Sequence, residues 1–331
     1  MPKKISVWNP AENRALRDTI DQRPLLDSQN QGMRQLLRSA QQFATTEVPI
    51  LLVGESGTGK KVLARQIHRW SNRCDQPFVV ADCEIVQEEL LEGELFGSVR
   101  KALDGRITER PGRLDAANAG TILLQKIGNM SPPLQRKLLQ FIKSSTFERS
   151  GGTDPCPVDT RIIADVNGDL AAEVAEKRFR EDLFHRLNVA TLHVPPLRER
   201  SEDILPMAEH LLATAVLRSD RRRRLSFSQE AAAAMIRYRW PGNISELRNA
   251  MERAAILALK GVITPEHLPD AVLRDSSEKD AEALLTTTME ELEREHILRV
   301  MAASQSIEEA AEKLGINSAT LWRKRKRYRI G

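Results

Sequence analysis

Residues 54–61 read GESGTGKK, directly after the apolar run ILLV at 50–53 and directly before an amphipathic stretch that begins at Val62. Few local patterns constrain a chain so tightly. The glycines let the backbone turn its N–H groups inward around phosphate oxygens, and Lys60 has the reach for the outer ones. A helix starting at the same point adds a favourable dipole. A strand that feeds such a helix returns through a parallel crossover, so the loop implies an α/β architecture with a parallel sheet. A chance glycine-rich turn would not bring strand, loop, lysine and helix together in this order. The candidate phosphate-binding residues are Gly54, Glu55, Ser56, Gly57, Thr58, Gly59, Lys60 and Lys61. The last departs from the pattern GxxxxGK[ST], in which a hydroxyl would hold Mg²⁺.

Further strands are expected at Ile50–Val53, Phe78–Val80, Thr121–Leu124 and Arg161–Val166, separated by amphipathic stretches such as Lys61–Trp70 and Pro133–Lys143. Past Pro195-Pro196 the strand signals stop. Residues 201–259 read as helical, broken at Pro241-Gly242, and DSSEKD at 275–280 reads as a linker before two more helical stretches, 288–303 and 306–328. The expected organisation is a polar leader (1–24), an α/β domain (25–196), a helical subdomain (197–273), a linker (274–286) and a small all-α domain (287–331).

Composition narrows the class. With 41% hydrophobic and 29% charged residues, the chain is neither disordered nor fibrous. Its net charge of +4 is too small to identify a partner, but its distribution is informative. RKRKRYR at 323–329 concentrates cations near the end, and Arg221–Arg224 are four in a row, read as a solvated loop. Cys74, Cys83 and Cys156 show neither metal-ligand spacing nor an even framework, which favours a reducing compartment. Without an apolar h-region or an 18–20-residue apolar run, the expectation is a cytoplasmic protein with no membrane partner.

Several further motifs occur together: VPILLVGESGTGK, EGELFG at 92–97, FREDLFHRLNV at 179–189, PPLRER at 195–200 and WPGNISELRNAMERA at 240–254. In this order they resemble the AAA+ domain of the sigma-54-dependent transcription activators, the NtrC-like enhancer-binding proteins. The likeness spans roughly residues 25–256, while residues 285–331 resemble the family's Fis-type DNA-binding tail. The ending LWRKRKRY is similar to that of the family's alginate regulators. Only 24 residues precede the AAA+ part, too few for a receiver domain, so the expectation is a chain without one. The resemblance implies an α/β P-loop domain, a helical lid, ATP as ligand, assembly into a dimer or higher oligomer, and double-stranded DNA as partner.

Measured against that family, the chain departs where hydrolysis would occur. The family's setting GTLFLDEIG is GTILLQKIG here, so the acidic pair is replaced by Gln125-Lys126. Glutamine offers a metal no negative charge, and a protonated lysine is no base. The alternative, surface replacement beside an intact site, sits poorly with the preserved surroundings. The family's switch Asn is Asp82, and the lid arginine of the GNxREL setting is Ser245, which cannot reach or neutralise a phosphate in the same way. Retained by resemblance are the sensor-like Asn167 and the finger-like Arg180 and Arg186; the last two are equally open to a structural ion-pair reading. The GAFTGA loop that touches the sigma factor aligns with residues 101–106, placing Leu103 and Asp104 at its Phe and Thr positions. Charge there opposes docking on the same surface.

At the C-terminal end, SIEEAAEKLGINSATLWRKRKRY fits a helix-turn-helix. Ser306 and Glu309 form a capping box, Gly315 makes the turn, Ser318 caps the second helix, and Ile316 and Leu321 face the core. The DNA-contact candidates are Ser318, Thr320, Trp322, Arg323, Lys324, Arg325, Lys326 and Arg327. Met289, Leu292, Ile297 and Val300 would pair two protomers, as such helices do in this family. The leading expectation is a DNA-binding regulator whose AAA+ domain takes ATP weakly or without Mg²⁺, holds no metal, and neither hydrolyses ATP nor engages sigma-54. The alternative is an active ATP-hydrolysing activator. A third reading joins it to mixed rings with a paralogous AAA+ activator.

Overall fold

The computed structural model describes residues 28–85, 87–101, 107–218, 225–258, 261–274, 289–302, 304 and 306–328. The chain forms two compact units that divide between Pro269 and Asp270.

The first unit is built on a parallel sheet. Its strands are β1 (Ile50–Val53), which feeds helix α2 (Lys60–Trp70), β2 (Phe78–Asp82), β5 (Thr121–Gln125), β8 (Arg161–Val166) and β9 (Ala190–His193), in the order β2-β5-β8-β1-β9. Every pairing is parallel. Continuous apolar runs such as Ile-Leu-Leu-Val suit strands covered on both faces. Successive side chains alternate accordingly: Leu51 packs with Ile122, Leu124 and Leu138 on one face, and Ile50 and Leu52 with Leu63, Ile67 and Met33 on the other. Met33 belongs to α1 (Gln31–Ala44), capped by Asn30, whose Oδ1 accepts from the Met33 N–H at 3.0 Å. Truncating such a core leucine costs about 2–5 kcal/mol. β9 carried no legible signal: ATLH is short and half polar, and becomes a strand because β1 offers it an open edge.

Between β2 and β5 lie α3 (Glu88–Phe96), the antiparallel pair β3 (Ser98–Lys101) and β4 (Ile107–Arg110), and α4 (Arg113–Ala116). Residues 102–106, including Leu103 and Asp104, lie outside the described residues, as do the leader, Arg221–Arg224 and the 275–280 segment. After β5 come α5 (Pro132–Ser144), the hairpin β6 (Thr146–Glu148) and β7 (Pro155–Pro157), β8, then α6 (Leu170–Ala175) and α7 (Glu181–Leu187).

A helical lid follows: α8 (Ile204–Arg218), α9 (Gln229–Arg237) and α10 (Asn243–Leu257). The expectation that strands stop at Pro196 is corrected by β10 (Ser226–Phe227) and β11 (Val262–Ile263), which pair in parallel. Two residues each are too few to leave a periodic trace. Buried Trp240 anchors the lid, donating from Nε1 to the Met235 carbonyl at 2.8 Å.

In the second unit, α11 (Met289–Ala302), α12 (Ile307–Lys313) and α13 (Ser318–Tyr328) enclose Ile297, Ala310, Ala311 and Leu321. Small residues at 310 and 311 let the helices approach closely. Gly315, at φ +67°, ends α12 with its N–H on the Glu312 carbonyl and that of Ile316 on the Ala311 carbonyl, a Schellman closure. Ser306 caps α12 as expected, its Oγ accepting from the Glu309 N–H. The second cap is Asn317 rather than Ser318: Asn317 Oδ1 accepts from the Thr320 N–H at 2.7 Å, and Ser318 is already helical. Ile297 is buried inside this unit and Val300 packs partly against the same cluster; the side chains of Met289 and Leu292 lie outside the described set. No described helix is long and apolar enough to cross a membrane.

Candidate functional site: a nucleotide cavity and a basic helix

At the C-terminal end of β1 the chain enters the glycine loop with φ +157° at Gly54, +77° at Gly57 and +101° at Gly59. Gly57 is doubly required, since a Cβ there would lie 2.3 Å from the Gly242 carbonyl of the lid. Lys60 opens α2 and is almost buried, its Nζ donating to the carbonyls of Gly54 (2.6 Å) and Glu55 (2.9 Å) and to Asn167 Oδ1 (2.9 Å). Burial pushes the Lys60 ammonium below its ordinary range, opposed by the nearby Asp165 carboxylate. The sensor-like Asn167 thus sits against the loop lysine. Lys60 is poised to exchange these internal acceptors for an anion's oxygens.

Lid and loop are fastened to each other. Arg198 grips Glu55 through two hydrogen bonds, 2.6 and 2.9 Å, holding that carboxyl below its ordinary range together with Asn243. Asn243, fully buried at φ +52°, donates from Nδ2 to Glu55 Oε2 (3.1 Å) and the Ser56 carbonyl (3.0 Å), and accepts from the Leu197 N–H (2.7 Å). The Ile244 N–H donates to the Gly57 carbonyl at 3.0 Å. Buried Arg200 donates to the Thr58 carbonyl at 2.8 Å, and desolvation brings its pKa down to about 10. Glu55, expected as a phosphate-loop residue, therefore joins loop to lid.

The end of β5 is different. Gln125 stands opposite Asp82 in the β2 register, and Lys126 follows in the left-handed region at φ +54°. The Lys126 N–H donates to Asp165 Oδ1 at 2.9 Å, and its ammonium is ion-paired with Glu84. The Gln125 amide also favours the charged form of the Asp165 carboxyl. Asp165 lies one residue beyond the Leu124–Ala164 pair of the β5–β8 ladder and is 2% exposed; burial pushes its carboxyl above the usual range. Sequence reading passed over Asp165. Its signal was available: a charged residue inside the strand IIADV, two positions before Asn167.

These groups line one cavity of about 450 Å³, which Lys60, Lys61, Gln125, Lys126, Asp165 and Asn167 enter from the core and Met207, Leu211, Ser245 and Arg248 from the lid. Ser245 carries no charge to it, but Arg248, one helical turn along the same face, lines it. The loop backbone and its lysine fit a phosphate chain. The donor set does not fit Mg²⁺ held by the protein: position 61 is an ammonium, position 125 an amide, and the one carboxylate lining the cavity is buried and already accepts the Lys126 N–H. Among the described residues no group of three or more His, Cys, Asp or Glu could hold a metal.

Arg180 pairs with Asp182 in its own helix start, at 2.7 and 3.0 Å, while its backbone N–H is fixed by the buried Gln135. Arg186 is exposed on α7, beside a separate pocket that also touches Glu47 and Thr160. Neither reaches the nucleotide cavity of its own chain, as the lining of that cavity shows.

On α13 of the second unit, Ser318, Trp322, Arg323, Lys326 and Arg327 are exposed, while Thr320, Lys324 and Arg325 are half-buried. Lys324 is committed elsewhere: its Nζ and the Tyr328 hydroxyl both donate to the Glu293 carboxylate of α11, at 2.5 Å each. That leaves Arg323, Lys326 and Arg327 as the exposed cations of the helix.

Comparison with known proteins agrees with this architecture. Residues 26–193 match the Sigma-54 interaction domain, 198–285 the AAA+ ATPase lid domain and 288–328 the Fis family of bacterial regulatory proteins. The chain is 46% identical over 305 residues to the alginate biosynthesis transcriptional regulatory protein AlgB of Pseudomonas putida, covering 92% of this chain and 67% of that one. Crystal structures of NtrX from Brucella abortus superpose with TM-scores of 0.70 in the ADP complex and 0.69 in the ATP complex. Both are 30% identical and cover 96% of this chain and 72% of the other. With its strand–glycine-loop–helix cavity, its lid and its basic helix-turn-helix, the chain belongs to the sigma-54-dependent transcriptional regulator family.

Proposed function

We propose that this protein is a DNA-binding regulator whose AAA+ domain binds nucleotide as a scaffold and does not turn it over. The observation that carries this reading is the end of β5. Where hydrolysis needs one carboxylate for the metal and another to orient water, the chain has the neutral Gln125, and Lys126, whose N–H is held by Asp165 and whose ammonium is paired with Glu84. Nucleotide would enter the cavity as Lys60 releases the Gly54 and Glu55 carbonyls for β/γ-phosphate oxygens. Lys60, Lys61 and Arg248 supply charge that a metal would otherwise bring. Binding is then weak and nearly independent of Mg²⁺. The exposed Arg186 is available to a neighbouring subunit, which favours a dimer or higher oligomer. An active paralogue could complete mixed rings through the same face.

The test is phosphate release from the purified chain together with titration calorimetry of ATP with and without chelator. Expected are no turnover above background and equal affinity under both conditions. Steady turnover with a strict Mg²⁺ requirement would establish the active activator instead. DNA binding should ignore nucleotide and fall steeply with salt, with a slope of roughly −7 if about eight phosphates are neutralised per dimer.

A further inference from the structure

Burial along α13 separates the helix into two faces. Leu321 is fully buried, and Lys324 and Tyr328 are drawn to the same side by Glu293. Residues 319, 322, 323 and 326 form the opposite, exposed stripe at helical spacing. In its middle stands Trp322, 58% exposed. It is the only exposed Phe, Tyr or Trp among the described residues. An indole left in water forgoes the gain of burying a large apolar surface, so its place on a folded surface calls for a contact surface. Lys326 Nζ lies 5.4 Å from the ring centroid, a cation–π contact that steadies the indole. Arg323 and Lys326 share the stripe, so whatever covers Trp322 must be polyanionic and yet present an apolar spot.

Duplex DNA meets both conditions. Its phosphates line the groove walls, and within the major groove the apolar feature of a base pair is the thymine C5-methyl. We infer that Trp322 is a sequence-reading residue, packing its indole on the C5-methyl of a thymine in each half-site while Arg323 and Lys326 hold the flanking phosphates. The inference rests on α13 being the recognition helix. It also divides labour along that helix: cations supply affinity, and the indole supplies discrimination.

The experiment uses the full chain and a duplex selected by it from a random library. Each thymine of that duplex is replaced in turn by deoxyuridine, which removes only the methyl, and binding is followed by fluorescence anisotropy at fixed salt. One position per half-site should lose about fourfold, the effect of withdrawing one buried methyl. In Trp322→Ala that penalty should vanish, whereas in Arg323→Ala it should persist on a uniformly weaker background. Circular dichroism checks that the variants keep their helix content, and Trp322→Phe should keep part of the penalty. If no deoxyuridine substitution matters, or the penalty survives in Trp322→Ala, Trp322 is not the methyl reader. If the wild-type chain selects no duplex at all, the recognition-helix reading fails first, and the inference with it.

Discussion

The nucleotide cavity has two unlike walls. The loop wall keeps every element that phosphate binding demands: glycines in left-handed backbone, a buried lysine held by carbonyls, and a lid pinned to the loop through Glu55, Arg198 and Asn243. The strand-end wall, formed by β5 and β8, carries different chemistry. An amide and an ammonium stand where the family resemblance implies carboxylates, and the buried Asp165 of β8 holds the Lys126 turn in place. On the proposed function, gripping phosphate and splitting it are separable. The first is done by backbone geometry and one cation, and the second needs negative charge aimed at a metal and at water.

Restoring the second wall is the strongest challenge to this contrast. Gln125→Asp with Lys126→Glu should raise ATPase activity by on the order of 10²–10⁴ over the unmodified chain, since a general base returns beside an intact Lys60 and Asn167. Transcription from a sigma-54 promoter carrying this protein's operator should not follow, because Leu103 and Asp104 still stand where the family resemblance implies the sigma-contacting Phe and Thr. Open complexes from the repaired chain in vitro would show that those positions tolerate the change.

Breaking the first wall should cost slightly less. Lys60→Ala removes roughly two charge-assisted hydrogen bonds to phosphate at ~1.5 kcal/mol each, so ATP affinity should fall about 10²-fold in calorimetry. Mobility shifts with the selected DNA should be unchanged.

Asp165→Asn sharpens the comparison through its sign. With nucleotide bound free of metal, removing a carboxylate near the phosphates should tighten ATP binding by about 3–10-fold. Were Asp165 instead a metal anchor, the same change would weaken binding in Mg²⁺ and leave it unaltered in chelator. Comparing the two titrations distinguishes the cases.

The smallest effect is in the fastening between loop and lid. Arg198 and then Asn243 hold the Glu55 carboxyl below its ordinary value of 4.5. A lowered acid pKa gives stability that is complete above 4.5 and lost as pH falls through the folded value. Glu55→Gln should therefore lower Tm by on the order of 1–2 °C at neutral pH, the pair being well solvated, and by nothing once the carboxyl is protonated. Melting curves from pH 7 down to pH 3 would reveal a constant difference if the reading were wrong.

Much of this was legible beforehand, for physical reasons that differ by element. The strand–loop–lysine–helix order and the apolar runs at 50–53 and 161–166 are local, so they could be read in sequence. The turn of the helix-turn-helix was legible because glycine adopts φ +67° most readily, as Gly315 does. β9 was not, because its strand state comes from the open edge of β1. Nor was the role of Glu55, which depends on a residue 143 positions away, or that of Lys324, which depends on Glu293 in another helix.

The sequence by itself determined the parallel α/β architecture, the phosphate loop and the Gln125-Lys126 pair at the end of β5, since each is carried by residue types at short spacing. Tertiary structure alone decided which of those groups act together. It set Asp165 against Gln125 across two strands, brought Arg248 to the cavity beside the uncharged Ser245, and turned Lys324 away from the face that carries Trp322. Charge and hydrogen bonding act over a few ångströms of space. The distance along the chain between Asp165 and Lys126, or between Lys324 and Glu293, says nothing of those ångströms until the strands and helices have packed.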